Sequence, residues 1–150
     1  INASGFIKNI DVKHSVLDGV DLDFSDIVIK NINIKDSGND CIDFSGGKYR
    51  ITSFNLLNCG DKGISIGEKS LINAKNIEIK KANIGIASKD SSAAYADMIK
   101  IYDTNDCLAV YRKKQEFDGG FLNIKNSECK KYERLFFVDQ FSKINIENKL

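Results

Sequence analysis

Five of the aspartates in the first third of this chain form one set: Asp18, Asp21, Asp23, Asp40 and Asp43, with Lys62 following. Two of their spacings match, since Asp18 to Asp40 and Asp21 to Asp43 are both 22 residues. If 22 residues make one turn of a repeating backbone, the carboxylates fall on two neighbouring strands about 4.8 Å apart. Lys62 falls on the next strand. Carboxylates this close repel unless a cation, a shared proton or water screens them. Asp18, Asp40 and Asp43 could supply the acid and base of glycoside chemistry, which needs two carboxyl groups facing one bond. Asp21, Asp23 and Asp43 could supply the oxygen ligands that calcium prefers. A solvated acidic face accounts for the same residues without either chemistry. Later in the chain, Lys62, Lys89, Tyr111, Arg112 and Lys113 are candidates to grip an anionic sugar, or to form surface ion pairs of little energetic weight.

These residues are positioned by a repeat. Val20, Ile42, Ile64, Ile86 and Leu108 recur every 22 residues. A second apolar series reads Ile10/Val12, Ile32/Ile34, Phe54/Leu56, Ile77/Ile79, Ile99/Ile101, Leu122/Ile124 and Ile144/Ile146, at steps of 22 or 23. A fixed period of this size marks a solenoid, whose units bury their apolar faces only against one another. Within a unit the apolar residues alternate, as in Val20-Asp21-Leu22-Asp23-Phe24. That is strand periodicity, and the β-branched content agrees with it. A leucine-rich repeat has a similar period, but the middle of each unit, such as Ile27-Val28-Ile29, carries no helical stripe. The sequence therefore predicts an all-β, right-handed parallel β-helix with three short strands per rung (20–24, 27–29 and 32–34 in one unit). About seven rungs would make a rod on the order of 30 Å long. The absence of proline suits backbones that all donate to a parallel ladder. The segments 89–98 and 112–121 are the longest between apolar columns, and loops of this kind gather on one face of a solenoid.

A polar column follows the third strand: His14, Asp36, Asn58, Lys81, Asp103, Asn126 and Asn148. Short polar side chains suit a stacked turn, so a structural role is expected for His14, the one histidine. Cys41 and Cys107 share a column with Gly19, Gly63 and Gly85 and lie three rungs apart, too far for a disulfide. Cys59 has no evident partner and Cys129 lies one rung from Cys107. The four thiols are accordingly expected to be mainly reduced, with Cys107–Cys129 the one pair placed to bridge. No Cys/His spacing fits zinc.

A formal charge of +1 offers no field for steering nucleic acid, and apolar runs such as Leu135-Phe136-Phe137-Val138 are too short for a membrane helix. The chain opens on Ile1-Asn2-Ala3-Ser4, with repeat columns already occupied at Ile10 and Val12. It reads as one β-helix domain, 1–150, from a longer protein that would contribute capping rungs or neighbouring domains.

The whole chain resembles the parallel β-helix repeats of the pectate-lyase-like superfamily. Gly38-Asn39-Asp40-Cys41 is similar to the Gly-Asp-Asp-Cys of polygalacturonases, and Lys62-Gly63-Ile64-Ser65-Ile66-Gly67 to their Gly-His-Gly-Ile-Ser-Ile-Gly. Asp18-Gly19 echoes the end of a third motif, and Arg112-Lys113-Lys114 stands where an Arg-Ile-Lys would be. The histidine is replaced by Lys62 and one aspartate by Asn39, so the hydrolase set is incomplete. The runs 60–70 and 87–92 resemble repeats of large bacterial surface or secreted proteins. The resemblance implies a secreted or cell-surface module, a stalk or glycan-binding arm, with polysaccharide as its partner. The competing expectation is a hydrolase or lyase acting on an acidic glycan, with calcium as the one candidate cofactor.

Overall fold

The computed structural model describes residues 3–149. Eight strands follow one another in chain order: β1 (Ser4–Ser15), β2 (Val20–Ser37), β3 (Ile42–Cys59), β4 (Lys62–Gly67), β5 (Leu71–Lys89), β6 (Ala93–Tyr111), β7 (Phe121–Val138) and β8 (Lys143–Lys149). Each pairs in parallel with the next, and β3 also pairs with β5. The result is a parallel β-solenoid of about seven turns, about 22 residues per turn, with no helix among the described residues.

The strands are long and continuous, where three short ones per turn were expected. Their corners explain the difference. His14, Asp36, Asn58, Lys81, Asp103 and Lys131 each adopt a left-handed backbone, with φ between 55° and 65°. One such residue redirects an extended chain while its neighbours go on donating to the ladder. Aspartate and asparagine tolerate this conformation best, which accounts for the polar column. His14 Nδ1 lies 3.3 Å from Asp36 Oδ2, and Asn58 Nδ2 donates to Asp36 Oδ1 at 2.7 Å, so the corner side chains also bond along the rod.

Val20, Ile42, Ile64, Ile86 and Leu108 are in register from turn to turn. All but the half-buried Val20 are buried, and they form one wall of the core. The other expected columns hold as far as Ile101 and then slip. Between β6 and β7 the offset is 28 residues throughout, from Ala93↔Phe121 to Val110↔Val138, because the loop 112–120 adds length at one corner. Leu122 and Ile124 therefore continue the Ala94 and Ala96 columns of the middle strand, and Ile144 and Ile146 stack on them. Asn126 and Asn148 likewise belong to the corner of Asn76 and Met98, all with positive φ. The segment 89–98 is no long loop, since β6 already begins at Ala93.

The four cysteines form two disulfides, Cys41–Cys59 and Cys107–Cys129. The expectation of free thiols is overturned. A turn that opens at Cys41 comes back to Cys59 after 18 residues with the Cα atoms 5.1 Å apart, a closure that column arithmetic does not reveal. The bridge leaves the 22-residue register from Val20 to Leu108 intact. Cys129 pairs beside Ile101 and so sits in the third-strand column, not that of Cys107.

Candidate functional site

The acidic rungs lie at the entry to the first strand of each turn. Asp18 Oδ1 accepts from Asn39 Nδ2 at 2.8 Å and from the backbone N–H of Asp40 at 2.9 Å. Asp40 repeats the pattern one turn on, accepting from the backbone N–H of Lys62 at 3.0 Å and from Lys62 Nζ at 3.4 Å. Each carboxylate thus satisfies the amide of the next turn's corner, which is a structural task. Asp40 is buried, and burial pushes its carboxyl above the ordinary range while Lys62 pulls it back. Lys62 Nζ also pairs with Asp61. Burial disfavours the Lys62 ammonium, but its bond to Asp61 and the charge of Asp40 lift it above the usual lysine value. Asp61 pays the same burial penalty, outweighed by Lys62 and by Asn83, which donates to it at 3.1 Å; it is held below the usual range.

Lys89 and Asp43 form the second part. Lys89 lies across Gly67, where a Cβ would meet its Cε at 3.1 Å. Its Nζ reaches Ser65 Oγ at 2.5 Å and stands 3.9 Å from Asp43 Oδ1. Burial lowers the Lys89 pKa. Asp43 Oδ1 is itself buried without a hydrogen-bond partner. The outward column Ser65, Ala87, Ala109 is buried as well, so this part of the face is closed over. Tyr111 is half-buried at its edge, and burial raises its phenol.

The remaining candidates are dispersed. Arg112 is turned to the far end, its guanidinium 3.6 Å from the centre of the Phe141 ring and its backbone N–H donating to Asp139 Oδ2 at 2.8 Å. Lys113 is exposed; its backbone N–H, with that of Lys114, donates to Asp90 Oδ1 at 2.7 and 2.8 Å. Asp90 is fully buried and anchors the loop 112–120. Asp21 and Asp23 are exposed, and Asp21 is raised by burial and by the charges of Asp23, Asp43 and Asp18. Among the described residues, no three His, Cys, Asp or Glu side chains gather as a set able to hold a metal ion.

Asp61, and the anchoring role of Asp90, escaped the sequence reading, although Asp61 lies in a 22-residue polar series with Asn39, Asn83 and Asn105. The inward corner serines escaped it too: Ser70 Oγ donates to Gly67 O at 2.7 Å, and Ser92 Oγ to Ile66 O at 3.0 Å. So did a concavity of about 600 Å³, which lies on the middle strand's outer face and is lined by Arg50, Asn73, Lys75, Tyr95, Asn123 and Lys125 among others. Its column steps by 23, 22 and 28 residues, from Arg50 to Asn73, Tyr95 and Asn123, so no single period exposes it.

No protein-family model, no curated protein and no solved structure matches this chain.

Proposed function

We propose that the chain is a non-catalytic β-helix module of pectate-lyase-like kind, serving as a rigid stalk or glycan-binding arm of an extracellular bacterial protein. The observation that carries this reading is the use of Asp18 and Asp40 as acceptors for the next turn's backbone amide. A carboxylate committed to a corner amide is poorly placed to exchange protons with a substrate. The concavity of the middle strand lies on a different face from these acids. Two disulfides suit an oxidising, extracellular setting.

One feature favours the hydrolase or lyase alternative. Asp43 Oδ1 has no hydrogen-bond partner and faces a lysine whose charge burial disfavours. A buried lysine of lowered pKa beside a carboxylate is a feature found at catalytic sites. The two readings separate on the Asp40→Ala and Asp43→Asn variants, assayed with acidic polysaccharides for new reducing ends and for unsaturated products. The module reading expects no turnover by the unaltered protein. It also expects Asp40→Ala to lose about 1–3 kcal/mol of stability, the cost of leaving a buried donor unpaired. Turnover that Asp43→Asn abolishes without lowering the melting temperature would establish the enzyme.

A further inference from the structure

We infer that the concave outer face of the middle strand is a binding groove for a linear anionic glycan lying along the rod axis. This rests on the reading of the chain as a glycan-binding arm and locates the contact on a face separate from the acidic rungs.

The groove has a cause in the core. The inward column beneath it reads Ile29, Ile51, Ala74, Ala96, Ile124, all buried. Two turns thus carry a methyl where their neighbours carry an isoleucine, and Ala74 and Ala96 themselves line the concavity. Small inward residues let the sheet sit closer to the axis there, because interiors pack to uniform density.

The outward residues carry recognition chemistry. Arg50, Asn73, Tyr95 and Asn123 are partners on successive turns, so they form a column along the axis. Strand spacing of about 4.8 Å is close to the length of a pyranose unit in an extended chain, so each sugar would meet one turn. Tyr95 is 44% exposed and is braced edge-on by Phe121, the ring centres 5.7 Å apart. It offers a rigid platform for the C–H face of a sugar, with a polar hydroxyl at its rim. Asn73 and Asn123, one turn to either side, supply amide donors and acceptors for hydroxyls.

Charge sets the class of sugar. Three cations, Arg50, Lys75 and Lys125, line the groove against one carboxylate, Asp97. Asp97 Oδ1 is engaged by the Met98 N–H and by Asn126 Nδ2, both at 2.8 Å. Arg50 pairs with Asp26 at 3.0 Å and Lys125 with Glu147 at 3.5 Å, in each case with both side chains about half exposed. Such pairs contribute little and can yield to a ligand carboxylate or sulfate, for which arginine offers two parallel donors.

Calorimetric titration of the whole chain tests this with four probes: linear uronate oligosaccharides, linear sulfated oligosaccharides, a neutral mannan and polyphosphate. The groove expects saturable binding of a uronate or sulfated oligosaccharide that weakens with salt, with the neutral chain binding less well. Tyr95→Ala should weaken that binding about tenfold or more, as loss of an aromatic anchor does. Lys75→Gln, at an exposed position where folding is not at stake, should weaken it and reduce its salt dependence. The proposal fails if neither anionic glycan binds, if both variants bind as the parent does, if the mannan binds equally well, or if polyphosphate binds as tightly. Failure on any of these counts leaves the stalk reading standing, because that reading is overturned by turnover and not by lack of a ligand.

Discussion

The two outer faces of this solenoid are built from the same ladder and have opposite characters. On the first-strand face several charged groups are engaged within the ladder: Asp18 and Asp40 hold corner amides, Lys62 holds Asp61 and Asp40, and Lys89 lies flat on Gly67, while Asp21 and Asp23 stay exposed. On the middle-strand face charges are fewer and half exposed, around an open groove with an aromatic platform. The clustered carboxylates and the groove therefore lie on different faces. Stacking identical turns forces like residues into columns. A carboxylate column is stable only if each member is given a proton, a cation or an amide. The first-strand face answers that demand with backbone amides and lysines at Asp18 and Asp40, and leaves Asp21 and Asp23 to solvent.

The largest expected effect lies behind the first-strand face. Cys41 adjoins Asp40, and its bridge to Cys59 spans 18 residues. Removing it by Cys41→Ala/Cys59→Ala should lower stability by about 3 kcal/mol in denaturant titrations, as for a loop of similar size. Thiol titration of the unaltered protein in denaturant without reductant should find no free thiol. If the double variant melts unchanged, the bridge is not what stiffens this corner, and the contrast between the faces loses one of its supports.

A smaller effect follows acidification. Asp61 is held below its ordinary value of 3.8. Its contribution to stability is present above that value and is lost as pH falls through the lowered one. Asp40, raised by burial, works in the opposite sense: its contribution is present below 3.8 and lost as pH rises through the raised value. Asp61→Asn should therefore flatten the acid limb of a stability-against-pH curve, and Asp40→Asn should not. Equal effects from the two variants would mean that the lysine does not distinguish them.

The smallest effect belongs to the open face. Asp26→Asn breaks the pair with Arg50 and should change stability by less than about 1 kcal/mol, since exposed pairs contribute little. The same change frees Arg50 and should tighten binding of an anionic glycan. A loss of several degrees in melting temperature would show that this face, too, is held by its charges.

The solenoid and its first-strand register were legible in the sequence because one inward column, Val20 to Leu108, keeps a strict period. A buried stack tolerates no change of phase, so apolar identity alone locates it. Columns of Asp, Lys and Ser on the outer first strand were aligned correctly for the same reason. Sequence period also located the polar corners up to Asp103, although not that their residues are left-handed. Other features depended on three dimensions. Cys41 meets Cys59 because a turn returns to its start, a relation set by corner angles and not by spacing. Leu122 and Ile124 changed column because residues added in the loop 112–120 shift everything after them, while any apolar pair looks alike in sequence. That Asp18 and Asp40 accept from the next turn's amide was decided by the direction their carboxylates take. Residue type determines that an aspartate can accept a hydrogen bond; only the packed turn decides which donor lies within reach.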